Sequence, residues 1–285
     1  MARRTTSRRS SKRKSKSNAG AIIGGTLLLL VSGSVASAIG YFYYQASNRE
    51  AIDPKTNCPV NGPKEIKALL IDTTDPITEK TLIDARNKFK AEASSTIQHG
   101  LIEIYGLTEQ AGKLELMFSG CNPGDKNTVD DWTGNKRLQQ RKWDEAFGKP
   151  LEEIEGKIDQ GQGGNQSPIM AGIQNIKLRA FDQYKDLDVP KELIVMSDMI
   201  EHTPLYSQYK LGLEYETYRK SPAYRDFRTN LEGVDFSVWY IDRGIERFSG
   251  LEHMEFWANW VSDNNGNWSR AIKLEGVNAQ VGGNS

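Results

Sequence analysis

"KALLIDTTDPIT", Lys67 to Thr78, begins as a buried strand and ends as a polar cluster. Ala68, Leu69, Leu70 and Ile71 run without a polar break, the pattern of a strand covered on both faces. Asp72, Thr73, Thr74 and Asp75 follow at once, and then Pro76. Two carboxylates and two hydroxyls at the end of a core strand have three uses. They hold a cation, cap the next helix, or receive a partner.

Two later stretches repeat the pattern. "KELIVMSDM" (191–199) is apolar until Ser197 and Asp198, and "VDFSVWYID" (234–242) ends on an acid. Helical periods lie between and after these strands. One runs from about Thr78 to His99 through Leu82, Ile83, Phe89, Ala93 and Ile97. Another runs from about Lys136 to Ile158, with a kink expected near Gly148-Lys149-Pro150. A third covers Pro168 to Tyr184, and an amphipathic one covers 251–263. "LIEIYGL" (101–107) and "KLELMFSG" (113–120) alternate across a short Gly-bearing turn, which predicts a hairpin. The expected fold class is therefore α/β: a Rossmann-like, mostly parallel sheet with one antiparallel hairpin and helices on both faces. In such sheets ligands bind beyond the carboxyl ends of the strands.

The N-terminal part reads differently. Residues 1–17 carry eight Lys/Arg and no acid. The zero net charge hides this, because the remaining 29 basic residues face 37 acidic ones, a net of about −8. From Ser17 to Asn48 there is no charged residue, and the run ends in Tyr41, Phe42, Tyr43 and Tyr44. That length crosses a bilayer core, and the aromatic end suits a membrane interface. The positive-inside rule then keeps the arm in the cytoplasm and puts the domain in a periplasm or an extracellular space. The expected location is the inner (cell) membrane, with a single pass. "ASA" at 36–38 resembles a signal-peptide cleavage site, but the apolar run continues beyond it. Gly20-x-x-x-Gly24 has the small-residue spacing that lets membrane helices self-associate. No nucleic-acid partner is expected. The predicted layout is a basic arm (1–17), a transmembrane anchor (18–46), a linker (47–66), the α/β domain (67–265) and a C-terminal tail (266–285).

Cys58 and Cys121 are an even pair that a non-cytoplasmic compartment can bridge; whether they meet depends on strand order. His99, His202 and His253 are scattered and give no recurring ligand spacing. "GQGGNQS" lacks the Gly-Lys-Ser/Thr of a P-loop, and no nucleophile elbow occurs. Glu201 and His202 read as a solvated loop beside Asp198, and the Trp and Phe of 251–263 read as core. Tyr206, Tyr209, Tyr215, Tyr218 and Tyr224 crowd a charged stretch that reads either as an interface or as an ordinary surface helix.

Over roughly residues 64–265 the order of elements resembles a von Willebrand factor A (vWA) domain. Domains of that family carry a metal-ion-dependent adhesion site built on Asp-x-Ser-x-Ser, with a Thr and an Asp from later loops. On that resemblance Asp72 matches the first Asp, Thr74 the first Ser, Ser167 the Thr and Asp198 the later Asp. These four are the expected metal ligands, for Mg2+ or Ca2+. Pro76 departs from the pattern, since it stands where the second Ser is expected and has no hydroxyl. Asp75 is the residue available to compensate. The resemblance implies a membrane-anchored module that holds a protein partner at the strand-end face in a bacterial surface, secretion, transfer or defence assembly. The alternative is a metal-free structural subunit. A third reading, a phosphoryl hydrolase of the haloacid dehalogenase type, needs Asp-x-Asp, and here Thr74 holds the second acid's place. The expectation is a protein that is not an enzyme.

Overall fold

A computed structural model describes residues 19–48, 50–72, 74, 77–129, 134–157, 164–242, 248 and 250–274. The chain falls into two units, 1–50 and 51–285.

In the first unit, helix α1 spans Ala19–Ser47. Its segment Ile23–Tyr44, 22 residues with mean hydropathy 1.8, is long and apolar enough to cross a membrane. At 1.5 Å per residue it is about 33 Å long, close to the thickness of a hydrocarbon core. Its hydroxyls do not compete with this. Thr26, Ser32, Ser34 and Ser37 each donate to a carbonyl three or four residues earlier in the helix, so their polar hydrogens are satisfied internally.

The second unit is built on one sheet. Its strands are β1 (Ile66–Asp72), β2 (Leu101–Leu107), β3 (Leu114–Cys121), β4 (Lys191–Ser197), β5 (Val234–Ile241) and β6 (Asn267–Leu274). They lie in the order β3-β2-β1-β4-β5-β6, and only the β2–β3 pair is antiparallel. The expected α/β fold and hairpin are thus present, and 3-2-1-4-5-6 is the order of doubly wound sheets.

Period-two alternation sends each strand's side chains to two cores. On one face, Ala68, Leu70, Val195, Phe236 and Val238 pack under α5 (Ile169–Ile176) and α9 (Gly250–Asp263). On the other, Leu69, Ile71, Ile194, Met196 and Trp239 pack under α2 (Glu79–Ser95) and α4 (Lys149–Lys157). Between β3 and α4 lies α3 (Lys136–Trp143), joined to α4 by a π-turn over Asp144–Gly148. There the Lys149 N–H reaches back to the Asp144 carbonyl, so the α-helical ladder is interrupted just before Pro150, where an interruption or kink was expected, and resumes as α4. Three short helices, α6 (Gln208–Leu211), α7 (Tyr215–Arg219) and α8 (Pro222–Asp226), fill the crossover from β4 to β5.

Three expectations need correction. The segment predicted as a tail from 266 contributes β6, which pairs with β5 from Asp235↔Asn267 to Ile241↔Leu274. Its signal was weak because an edge strand exposes most of its residues, and Arg270 and Lys273 break the apolar pattern. The linker predicted over 47–66 is folded onto the domain from Ile52. Ile52 bridges Pro59, the Cys121 N–H donates to the Thr56 carbonyl, and Cys58 forms a disulfide with Cys121. Lastly, the tyrosine-rich stretch turns inward for the most part. Tyr206 and Tyr218 are buried against Phe256 of α9, Tyr215 and Tyr224 are half-buried, and Tyr209 is exposed. Phe256, Trp257 and Trp260 are buried, as expected for core.

Candidate functional site: a carboxylate ringed by hydroxyls

The β1–β4 register places Ile71 opposite Met196, so the next residues, Asp72 and Ser197, stand side by side at the carboxyl ends of two central strands. Asp72 is buried, and its carboxylate gathers hydroxyls from three separate segments. Thr74 Oγ1 donates to Oδ1 at 2.6 Å, and the Thr74 N–H donates to the same oxygen at 3.1 Å. Ser197 Oγ donates to Oδ2 at 2.7 Å, and Ser167 Oγ donates to it at 3.1 Å from 95 residues away in the chain.

The backbone laces these segments together. The Gly164 N–H donates to the Thr74 carbonyl at 2.6 Å. Ser167 and His202 exchange both of their N–H···O bonds at 3.0 Å, which ties the loop before α5 to the loop after β4. Of the four predicted ligands, Asp72, Thr74 and Ser167 therefore share one hydrogen-bond cluster. Asp198 is buried on the same rim, one residue beyond Ser197, and its Oδ1 accepts from the Ile200 N–H at 3.0 Å. The hydroxyl that bonds directly to Asp72 from this loop is Ser197. It also accepts from the Met199 N–H at 2.8 Å, so one side chain both turns the chain and orients the carboxylate. Thr73, Asp75 and Pro76 lie outside the described residues, and so does any test of the Pro76 departure. Among the described residues no group of three or more His, Cys, Asp or Glu side chains could hold a metal ion.

A second polar layer lies beneath the rim, and it includes Glu201, which sequence reasoning placed wrongly in solvent. Glu201 is fully buried. Its Oε2 accepts from the Met170 N–H at 2.9 Å, in the first turn of α5, and its own N–H donates to Gln208 Oε1 at 2.9 Å. His253 Nε2 faces two acceptors, the Met199 carbonyl at 2.9 Å and Gln208 Oε1 at 3.2 Å, so Nε2 carries the hydrogen and Nδ1 is bare. Trp257 Nε1 donates to the same Met199 carbonyl at 2.7 Å. Met199 sits at φ +60°, a left-handed conformation unusual for its side chain, held there by these two ring donors. Glu201 Oε1, Gln208 Nε2 and His253 Nδ1 are buried and have no hydrogen-bond partner among the described residues. Burial raises the Glu201 carboxyl to about 8; the Asp72 charge adds to the rise, and the Met170 and Ile169 N–H groups oppose it. Burial depresses the His253 imidazole to about 4. At neutral pH both are uncharged. A Glu-His pair next to the strand-end Ser-Asp was the visible signal of this layer; its burial was not legible.

No protein-family model and no curated protein sequence matches the chain. Among solved structures it is similar to the conserved hypothetical protein BatB from Bacteroides thetaiotaomicron, at 15% identity and a TM-score of 0.37, over 76% of this chain and 93% of that one. It is also similar to a von Willebrand factor type A protein from Catenulispora acidiphila, at 10% identity and a TM-score of 0.39, over 75% of this chain and 39% of that one. The α/β architecture of this chain rests on its own strand order and its antiparallel β2–β3 hairpin.

Proposed function

We propose that this chain is a membrane-anchored protein-binding module of the vWA type, acting in a bacterial envelope assembly through its strand-end rim. One observation carries the reading. A buried carboxylate at the end of the central strand collects hydroxyls from three loops that the chain brings from positions 74, 167 and 197. Helix capping does not need that convergence. The α2 cap is supplied by Thr78, which accepts from the Thr81 N–H, so Asp72 and Thr74 are released from that role.

The donor set fits a hard divalent cation in kind. Asp72 offers carboxylate oxygens, and Thr74, Ser167 and Ser197 keep hydroxyl lone pairs while donating to it. Mg2+ is held by one or two carboxylates and keeps several waters. Asp72, Thr74 and Ser167 would hold it, with Asp198 on the same rim adding charge. When bound, the cation supplies an open coordination position for a partner's carboxylate.

The apolar helix Ile23–Tyr44 supports a single-pass anchor, and the Cys58–Cys121 disulfide supports an oxidising compartment for the domain. With the basic arm of residues 1–17, this favours a cytoplasmic N-terminus and an external domain. The second reading, a metal-free structural subunit, has its own observation: both Asp72 oxygens are already satisfied by protein donors. Capture from native membranes solubilised in detergent, with the anchor intact, tests the binding role. A partner that Asp72→Ala loses and that EDTA releases is expected. A partner set identical in wild type, Asp72→Ala and EDTA would refute the rim as the binding surface.

A further inference from the structure

The far edge of the sheet holds a cleft that the rim does not account for. At the amino ends of β1 and β2, the turn after α2, the segment after β3 and one face of α3 enclose a groove of about 440 Å3. Its polar lining includes Ser94, Gln98, Asn122, Asp125 and Gln140, with Trp143 at one side. The groove adjoins a trough of about 260 Å3 whose apolar floor, Phe89, Ala93, Leu151 and Trp143, is flanked by Lys90 and Glu152. Ser94 and Trp143 belong to both halves, so the indole stands at their junction. The larger half alone falls within the roughly 300–1,000 Å3 of small-molecule sites.

The polar groups are held in place before any ligand arrives. Asn122 Nδ2 donates to the Thr96 carbonyl at 2.7 Å, and its Oδ1 accepts from the Gly124 N–H at 2.8 Å. Gln140 Nε2 donates to Asp144 Oδ1 at 2.8 Å, and its Oε1 accepts from the Lys126 N–H at 3.3 Å. Gln98 Nε2 donates to the Pro123 carbonyl at 3.2 Å, and Asp125 Oδ1 accepts from the Asn127 N–H at 2.9 Å. Each bond uses part of the group's capacity and fixes its direction, which lowers the ordering cost of binding. Trp143 is fixed as well. It packs on Phe147 at 5.9 Å between ring centroids, and Gly148 gives its ring room, since a Cβ there would sit 2.8 Å from the indole.

Planar amides and a carboxylate with spare lone pairs match vicinal hydroxyls, and a fixed indole matches the C–H face of a pyranose ring. The adjoining trough has space for a small apolar substituent and lies next to the polar half. We propose that this cleft binds an N-acetylated hexosamine unit of a glycan, with the sugar hydroxyls in the polar groove, the ring on Trp143 and the acetamide methyl in the trough. An external domain meets glycans as its ordinary surroundings, but the inference rests on the cleft and is independent of the rim.

Calorimetric titration of the full chain in lipid nanodiscs tests this with two trisaccharides, chitotriose and cellotriose, which differ only in the acetamide groups. Chitotriose is expected to bind with a Kd on the order of 1 mM, and cellotriose at least about tenfold more weakly. Ser94→Tyr, a change at an exposed helix position that fills the junction, is expected to weaken chitotriose by a similar factor with the melting temperature unchanged. Trp143→Ala is expected to abolish binding, and Ser94→Tyr serves as the readout if that variant does not fold. No binding of chitotriose at about ten times the expected Kd, equal binding of both sugars, or undiminished binding to Ser94→Tyr would each overturn the proposal.

Discussion

The two ends of the central sheet solve opposite problems. At the amino end of the strands, the chain is closed on itself. Cys58 is bonded to Cys121, the Cys121 N–H is taken by Thr56, and the His99 N–H donates to the Asn122 carbonyl, so the approach from α1 is stapled to the edge hairpin. At the carboxyl end nothing covalent holds the three loops. They meet on the Asp72 carboxylate through hydrogen bonds. The difference teaches that one end is fixed by a covalent bond and the other by hydrogen bonds to a single carboxylate.

Breaking the closed end has the largest expected effect. The disulfide spans 63 residues, and replacing both cysteines by serine should cost about 2–5 kcal/mol. Chemical denaturation without reductant measures it. Reductant should lower the wild-type midpoint to that of the variant, and an unchanged midpoint would mean that the linker is not held through this bond.

At the open end, Asp72→Ala leaves three hydroxyls without their acceptor, with a cost of about 1–3 kcal/mol in the same assay. Asp72→Asn should cost less, because one oxygen still accepts.

The layer beneath the rim should show itself through pH. The Glu201 carboxyl keeps its proton up to about 8 in the folded chain, against an ordinary value of 4.5. Between these values the folded state binds the proton and the unfolded state does not, so stability falls as pH rises. His253 acts in the opposite sense. Its folded value near 4 lies below its ordinary 6.5, so its contribution is lost as pH falls below that value. The two oppose each other up to pH 6.5, and above it Glu201 acts alone. From pH 6.5 to 8 the wild type should lose about 2 kcal/mol that Glu201→Gln does not lose. Parallel stability curves for the two proteins across that window would remove Glu201 as the cause.

The smallest effect belongs to Ser167→Ala. It removes one hydrogen bond, the longest of the hydroxyl contacts to Asp72, and should cost about 1 kcal/mol in chemical denaturation. A cost equal to that of Asp72→Ala would show that Ser167, rather than Asp72, organises the rim.

Much of this contrast was legible in the sequence, for physical reasons. The runs at 68–71, 193–196 and 236–239 are buried on both faces, so each reads as a central strand without further context. A strand-end Asp followed by hydroxyls marked Asp72 and Thr74, whereas Ser167 was singled out only through the family resemblance. The cysteines were legible as a pair, but their meeting needed the strand order, which puts β3 on the edge. β6 was missed because an edge strand lacks a two-sided apolar pattern. The burial of Glu201 was missed because a carboxylate reads as solvated unless tertiary packing encloses it. Here α5, α6 and α9 supply that enclosure through Met170, Gln208 and His253.

The measurement that bears most directly on the rim is the thermal midpoint of the full chain in nanodiscs after EDTA treatment, before and after addition of Mg2+ or Ca2+. A cation that binds only the folded state raises the midpoint by mass action, by about 2.7 kcal/mol at a hundred times its Kd. The account predicts such a rise in the wild type and none in Asp72→Ala. An unchanged wild-type midpoint at millimolar cation, or the same rise in Asp72→Ala, would contradict it.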